Sequence, residues 1–439
     1  MNNGSESLAE SALAHRPSPY SPSPMSSHTD SAHPLRLAVV GAGPAGLALA
    51  LLAARHLPAA RIRLFDARPL ARDISGDPRT LALSLGSVQL LQRLQVWPAA
   101  AAQPIAEVHV SQAPPTLSGP LFGPAGEPEV RINAREQGRE MLGAVLSYGQ
   151  LVAPLQQAWL AACEREPQRL AACFGQPVAA IKPLPGGQVE LDTGDCHLAE
   201  SYDLVVVAEG GVFAEQARKA LAHDYRQNAW VGSVELAPDS PEGVAYERFT
   251  RHGPLALLPL RALADGTRRA ALVWCLPQDE DEVAGLSDAQ RLVVIQQQLP
   301  ERVGRLRAIS PLKCFALGLN AERSLVEGRV VRIGNAAQTL HPVAGQGLNL
   351  GLRDAYTLVD ALRRAQAEDS GGVDTALRRV EWARAPDRWS TIATTDFLAR
   401  SFAWRWPGLP AVRGLGLAAL QALPPLRSAL ARQMMFGRR

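Results

Sequence analysis

The stretch Leu35–Leu57, LRLAVVGAGPAGLALALLAARHL, decides how this chain begins to fold. Leu35–Val40 is a continuous apolar run with β-branched residues, which is typical of a strand buried on both faces of a parallel sheet. Gly41–Gly46 follows with the pattern G-x-G-x-x-G, and an Ala/Leu-rich helix completes the stretch. Residues 37–54 carry no charge and resemble a membrane span, but Pro44 and the glycines divide them into a strand and a helix.

A second strand, Ile62–Phe65, ends at Asp66, twenty residues after Gly46. This β-turn-α-β spacing is the dinucleotide-binding fingerprint, in which the glycines permit the turn, the approach of a diphosphate and the helix–strand packing. The diphosphate lies on the helix N-terminus, and the acid accepts a ribose hydroxyl. The predicted cofactor-binding residues of this unit are Gly41, Gly43, Pro44, Ala45, Gly46 and Asp66. The alternatives are an ordinary glycine turn and a solvated acid at a strand end.

A second glycine-rich helix start lies about 300 residues further on, within Val330–Leu350. It consists of a strand, a glycine turn, a loop with a proline and another helix. A ligand that contacts both helix starts must be long. The second helix could direct its positive end at a group that gains negative charge, such as a reduced flavin. This favours FAD over NAD.

The pattern of predicted strands changes in the chain between the two glycine motifs. Tyr202–Ala208 and Gly328–Ile333 are further buried strands, whereas residues 215–325 contain runs typical of an antiparallel sheet. Ser287 and Gln290 predict a capping box that opens one helix there. The predicted fold is α/β with an α+β second domain: a Rossmann-like parallel sheet, an inserted antiparallel sheet and a helical C-terminus.

The predicted domains follow from these patterns. Residues 1–34 are rich in Ser, Pro and His and are expected to be a disordered extension. Residues 35–214 and 325–395 are expected to form a discontinuous FAD-binding domain. Residues 215–324, with part of 105–140, are expected to form a sheet domain that binds the substrate. Residues 396–439 are expected to form a basic helical segment.

With these motifs in view, the sequence resembles the flavin-dependent aromatic hydroxylases of the para-hydroxybenzoate hydroxylase type, and within them the ubiquinone-biosynthesis hydroxylases. The resemblance covers most of residues 35–400. It rests on Gly41–Gly46, Asp77–Ser84, Tyr202–Gly210, Gly253–Leu260 with Leu272–Trp274, and Gly334–Gly351. It implies that further residues bind the cofactor, namely Arg79, Glu209, Gly210, Asn335, Pro342, Gly345, Gly347, Leu348 and Asn349. Tyr148 and Gln150 lie where related enzymes place a flavin contact, or on a helix surface.

The chain departs from the family at several positions. Glu209 replaces the usual Asp before Gly210, and the Ser and Arg that normally follow are displaced. Asn335 stands where the family has Asp, and Gln338 stands where it has His. The last two are similar to the branch of 2-polyprenyl-6-methoxyphenol hydroxylases.

The resemblance implies an FAD-dependent monooxygenase of a polyprenylated phenol, with NAD(P)H or another electron donor and molecular oxygen as co-substrates. Because the cofactor performs the chemistry, no catalytic side chain is predicted. His341 and His252 are expected to serve loop packing or to face solvent. The alternatives are hydroxylation of another ubiquinone precursor, hydroxylation of a soluble phenol, and a non-catalytic flavoprotein scaffold of a biosynthetic complex.

The composition limits the remaining choices. The five cysteines contain no C-x-x-C pair, which disfavours a disulfide framework and a cysteine zinc site and favours an intracellular protein. The net charge of +3 disfavours a nucleic-acid binder. Residues 397–439 nevertheless hold seven arginines and no acidic residue beside Trp, Phe and Leu. We expect this segment to contact an anionic membrane, on the inner face of the cytoplasmic membrane, or to pack on the protein with its arginines in solvent or paired with acids elsewhere. The two arrangements are compatible.

Overall fold

The computed structural model describes residues 33–114, 127–194, 200–209, 219–281, 283–342, 345–368, 372–403 and 409–438. Residues 35–439 cluster as one compact unit, so the division into two domains stays a prediction. No helix in these ranges combines the length and hydropathy that are needed to cross a membrane. The unit contains three layers of secondary structure that matter for the site: a parallel sheet, the helices on it, and a larger mixed sheet.

The first half of the chain forms β1 (Arg36–Val40), α1 (Pro44–His56), β2 (Arg61–Asp66), β3 (Thr80–Ser84), α2 (Leu85–Arg93), β4 (Gln103–Ile105), β5 (Glu107–Gln112), β6 (Glu129–Asn133), β7 (Gly143–Ser147), α3 (Tyr148–Arg165), β8 (Leu170–Phe174), β9 (Ala180–Pro183), β10 (Val189–Asp192), β11 (Glu200–Tyr202) and β12 (Leu204–Val207). The second half forms β13 (Lys219–Leu236), β14 (Val244–Phe249), β15 (Pro254–Leu260), β16 (Arg268–Pro277), α4 (Asp288–Gln298), β17 (Leu306–Ile309), β18 (Lys313–Glu322), β19 (Val326–Glu327), β20 (Val330–Arg332), β21 (Gln338–Thr339), α5 (Gln346–Ala367), α6 (Gly372–Ala403), α7 (Leu409–Ala422) and α8 (Pro424–Phe436).

The central sheet has the order β19-β20-β12-β1-β2-β8, and all of its pairs except β19–β20 are parallel. Alternate residues of β1 enter two different cores. Leu37 and Val39 pack with α1, α3 and α5, whereas Ala38 and Val40 pack against β10 and Tyr202. Burial on both faces explains the continuous apolar run. The predicted α/β fold is confirmed.

A second sheet takes the order β21-β18-β13-β16-β15-β14-β5-β6, with β17 also paired to β13. It is antiparallel except between β5 and β14, which come from distant parts of the chain and run parallel. One side of it is covered by α4, which begins with both hydrogen bonds of the predicted Ser287–Gln290 capping box. After β18 the chain returns to the parallel sheet through β19 and β20.

Candidate cofactor site

Four strands of the parallel sheet end at one edge, where the motif residues collect. β1 is followed by Gly41, β2 ends at Asp66, and β12 and β20 precede Glu209 and Gly334. From β1 the chain proceeds through α1 to β2 on one side, while β12 pairs with β1 on the other. This is a topological switch point, where ligands of open α/β sheets bind beyond the carboxyl ends of the strands.

The first glycine loop is packed so closely that two of its positions admit no side chain. Gly41 has φ +104°, and a Cβ there would lie 2.8 Å from Cβ of Glu209. A Cβ on Gly46 would lie 2.0 Å from the carbonyl oxygen of Gly41. At Gly43 the nearest atom to such a Cβ is the hydroxyl of Tyr148, 3.7 Å away. The fold therefore requires the outer glycines, and the middle one leaves open space at the start of α1.

Two carboxylates flank this loop. Asp66 accepts hydrogen bonds from the backbone N–H of Ala42 through Oδ2 (2.6 Å) and of Arg68 through Oδ1 (2.8 Å). Glu209 lies on the other side of Gly41, where burial, and then the charge of Asp66, raise its pKa. The predicted placement of Asp66 beside the glycine loop is therefore observed.

The second glycine-rich start lies against the first. Gly334 and Gly345 both have φ +58°, a conformation that favours glycine. A Cβ on Gly334 or on Gly351 would lie 3.7 or 3.5 Å from Cβ of Ala45, and a Cβ on Gly351 would also lie 2.8 Å from Cα of Gly334. The second glycine-rich start therefore lies beside the first, where α1 and α5 pack on each other. That one cofactor contacts both starts stays a prediction.

Neither helix start is closed by its own side chains. α1 begins after Gly43 and α5 after Gly345, without a side-chain cap hydrogen bond and without an acidic residue in the first turn. The first N–H groups of a helix have no partner within that helix, and the positive end of the helix dipole at each start favours an anion. These starts fit a diphosphate at α1 and a group that gains negative charge at α5.

The residues that follow the second loop have different surroundings. Asn335 is exposed, and its Oδ1 lies 3.9 Å from the position of a Cβ on Gly347. Leu348 is partly buried in the core beside α1. Pro342 is half-buried, and Gly210 lies outside the described residues. Asn335 is thus placed to meet a ligand at the start of α5.

Asn349 has another role. Its Oδ1 accepts hydrogen bonds from the N–H of Ser84 and the hydroxyl of Ser87, both at 2.8 Å. Its amide donates to the carbonyl oxygens of Ala82 (3.0 Å) and Gly345 (2.9 Å). Because these four bonds exhaust the side-chain amide, it has none to offer a cofactor. The side chain of Asn349 therefore positions the start of α5 against β3 and α2, and the predicted cofactor contact of this residue could be made only by its backbone.

Arg79 is connected to the first glycine loop through Tyr148. Its guanidinium pairs with Asp77 at 2.8 Å and stacks 4.0 Å from the centre of the Tyr148 ring, whose hydroxyl faces Gly43. Burial raises the pKa of Tyr148. Gln150 instead completes a capping box with Ser147 at the start of α3, so its side chain serves the helix.

Comparison with known proteins agrees with this geometry. The family described as FAD binding domain matches residues 215–390. The chain is 29% identical over 396 residues to 3-demethoxyubiquinol 3-hydroxylase of Escherichia coli K12, covering 88% of this chain and 95% of the relative. It is 29% identical to ubiquinone hydroxylase UbiL of Rhodospirillum rubrum, covering 82% and 80%. Over most of its length the chain is therefore similar to hydroxylases that are named for ubiquinone biosynthesis.

Solved structures share the fold of this hydroxylase. Klebsiella pneumoniae HpxO, complexed with FAD and uric acid, aligns with a TM-score of 0.66 at 14% identity, covering 92% of this chain and 97% of that one. The p-nitrophenol 4-monooxygenase PnpA of Pseudomonas putida DLL-E4 aligns with a TM-score of 0.68 at 15% identity, covering 92% and 99%. The enzyme is an FAD-dependent monooxygenase, and FAD is its cofactor.

Within the hydroxylase, the unusual Gln338 ties the late motif to α6. Its Oε1 accepts a hydrogen bond from Nε of the buried Arg388 (2.7 Å), whose Nη2 donates to the carbonyl oxygen of Glu322. His341 is buried, and its Nε2 lies 3.1 Å from Oε1 of Gln227 in β13. Burial lowers the pKa of His341 to about 4, so the imidazole is neutral at physiological pH.

Sequence reasoning correctly expected a packing role for His341 but did not identify its partners. Gln227 and Arg388 stand 114 and 50 residues from the motif residues they contact. No local spacing marks such pairs. His252, the other candidate, lies beside Glu280 at 3.3 Å and accepts a hydrogen bond from Nε of Arg251.

Proposed function

We propose that this hydroxylase acts on the ring of a polyprenylated phenol in ubiquinone synthesis, and that its substrate is a 2-polyprenyl-6-methoxyphenol. The observation that carries the flavin chemistry is the meeting of two uncapped helix starts at Ala45. The names of the two relatives support a ubiquinone precursor. The ring position rests on Asn335 and Gln338, which resemble the 6-methoxyphenol branch.

The described residues supply binding and orientation. The N–H groups that open α1 would hold the diphosphate, Asp66 a ribose hydroxyl, and the start of α5 with Asn335 the flavin end. When bound, FAD supplies the reduction of oxygen: one oxygen atom enters the ring as a hydroxyl, the other leaves as water, and a nicotinamide or another donor provides two electrons. No described side chain has to act as a nucleophile.

The surroundings of the second loop favour a fixed geometry over proton transfer. His341 is neutral and turned to Gln227, and Gln338 is held by Arg388. Asn349 binds the start of α5 to β3. These contacts keep the loop at one distance from the first glycine motif, which orients a long cofactor.

A second candidate is hydroxylation of a demethoxyubiquinol, because the relative from Escherichia coli carries that name. The two candidates differ in the ring that is accepted, and the same site could bind either. Purified enzyme loaded with FAD should therefore be given a reductant, oxygen and short-chain forms of both substrates.

We expect mass spectrometry to show the gain of one oxygen atom on the 6-methoxyphenol and a much slower reaction with the demethoxyubiquinol. The reverse preference would assign the second candidate. Equal turnover of a phenol without a prenyl chain would contradict both candidates and favour a soluble phenol. Protein that gains no flavin spectrum after reconstitution would overturn the proposal as a whole.

A further inference from the structure

The C-terminal helices α7 and α8 expose an unusual surface. Between Ala411 and Leu430, a fully described stretch, every exposed residue is apolar. Val412, Leu415, Leu423 and Leu426 are 63%, 47%, 47% and 51% exposed, and we call these four the apolar ridge. The other exposed members of the stretch are glycine, alanine and proline: Gly416, Ala419, Ala422, Pro424, Pro425 and Ala429.

The polar residues of the same stretch face the protein. Arg413 donates from Nη1 to the carbonyl oxygen of Ser401 (2.6 Å), and Gln421 accepts from the N–H of Arg131 (3.0 Å). Arg427 lies 3.3 Å from the carboxylate of Glu136. A surface helix ordinarily turns its polar residues to water. This segment has the opposite polarity, although it is attached to the protein by these bonds.

Apolar contacts hold the segment in place beneath the ridge. Leu417, Leu420 and Leu430 pack with the core that contains Val130 and Ile132 of β6. The ridge therefore lies on the side of this segment that does not pack on the rest of the protein. Contiguous exposed apolar surface of this kind marks a site of interaction with a protein or a membrane.

We propose that the apolar ridge docks on the surface of an anionic lipid bilayer. An interface between proteins combines an apolar centre with polar groups that fix its register, whereas every exposed residue from 411 to 430 is apolar, and a bilayer demands no register. The charge points to anionic lipid: residues 397–439 contain no acidic residue, and the exposed Arg432 and Arg438 follow the ridge. That docking gives access to a prenylated substrate rests on the proposed function.

The geometry also changes which residues should be tested. Arginine charge alone predicts that Arg427 meets the membrane, but Arg427 is paired with Glu136. The ridge leucines and the two exposed arginines are therefore the informative positions. Because all of them are exposed, substitution should leave folding intact.

The test is co-sedimentation of the full flavin-loaded chain with vesicles of phosphatidylcholine alone or mixed with an equal part of phosphatidylglycerol. Leu415→Gln/Leu423→Gln/Leu426→Gln should lower partition into the mixed vesicles about tenfold or more. Docking would remove the three leucine side chains from water, and glutamine would lose most of that apolar contribution. Arg432→Gln/Arg438→Gln should weaken binding to mixed vesicles only. The control Leu263→Gln/Val293→Gln, at exposed residues elsewhere, should bind like the native chain.

Native binding that is absent, or unchanged in the triple leucine variant, would overturn the proposal. A native dimer that the triple variant dissociates, without vesicle binding, would assign the ridge to a second copy instead. Turnover of a short-chain phenol in buffer should be the same in the triple variant. If no variant hydroxylates any phenol while the vesicle results hold, the proposed function fails and the docking surface stands.

Discussion

Four helices of this protein begin in two different ways. α3 and α4 open with complete capping boxes, Ser147 with Gln150 and Ser287 with Gln290, in which side chains satisfy the first backbone N–H groups. α1 and α5 open after glycines and have no side-chain cap. In the capped helices, side chains of the same helix start accept and donate the terminal hydrogen bonds. The uncapped pair meets at the carboxyl edge of the parallel sheet, where we propose that the two helix starts bind the cofactor.

The strongest way to break this comparison is to disturb the packing that brings the uncapped starts together. Gly46→Ala would place Cβ 2.0 Å from the Gly41 carbonyl oxygen, which the backbone can relieve only by moving α1. We expect a loss of about 3 kcal/mol or more in the free energy of unfolding, and no retained FAD. Urea unfolding and the flavin spectrum measure both. Gly285→Ala, where no atom lies within 4 Å, is the control; a yellow Gly46→Ala protein of native stability would refute this packing.

A smaller effect is expected from Asp66→Ala, which removes the acceptor of two backbone N–H groups beside the first loop. Hydrogen bonds to a charged group contribute about 1.5–3 kcal/mol, so the Kd for FAD should rise roughly a hundredfold. Asp203 is a matched control, because it accepts from the N–H of Arg36 at the opposite edge of the same sheet. Asp203→Ala should lower stability and leave the Kd for FAD unchanged; equal effects of the two variants would remove Asp66 from the site.

The loop before α5 can be tested by pH. His341 has a folded pKa of about 4, below the 6.5 of an exposed histidine, so its contribution to stability is present above pH 6.5 and is lost as the pH falls towards 4. Between pH 7 and pH 5 the loss should be on the order of 2 kcal/mol. Urea midpoints should fall over this range in the native protein and in His252→Gln, and fall less in His341→Gln. Parallel curves for all three would contradict the buried, neutral imidazole.

The smallest effect on stability is expected from removing the cap of a capped helix. Ser287→Ala removes the cap of α4, which should lower the free energy of unfolding by about 1 kcal/mol. The affinity for FAD should not change, because α4 covers the mixed sheet and not the edge with the glycine loops. Calorimetry with and without FAD distinguishes the two quantities. A weaker affinity for FAD in Ser287→Ala would contradict the inference that only the uncapped helix starts bind the cofactor.

The sequence predicted those parts of this comparison that depend on short spacings. Gly41, Gly46 and Asp66 lie within one β-turn-α-β unit, and Ser287 lies three residues from its capping partner. Steric exclusion and local hydrogen bonds fix such positions, so the pattern contains them. The packing of Ala45 against Gly334 was not predicted, because the sequence indicated only that a ligand contacting both helix starts must be long.

What the sequence could not show depends on partners far along the chain. The family resemblance implied a cofactor contact for Asn349, but Ser84 and Ala82, more than 260 residues away, occupy its side-chain amide. Arg427 belongs to a basic tail, but it is paired with Glu136, 291 residues earlier. In both cases a tertiary contact that no local pattern marks gives the side chain a structural role.

We propose that the start of α1 binds the FAD diphosphate, and Gly43→Asp is the most direct test. Gly43 has φ −77° and ψ 179°, the backbone of an ordinary N-cap residue, and there is room for a side chain. An aspartate there should cap α1 and stabilise the flavin-free protein by up to about 1 kcal/mol, while its charge displaces the diphosphate. Gly43→Ala controls for the added Cβ. Without FAD, Gly43→Asp should be more stable than the native chain, and it should bind FAD about a hundredfold or more weakly. Native FAD affinity in a stabilised Gly43→Asp protein would contradict the proposed diphosphate site.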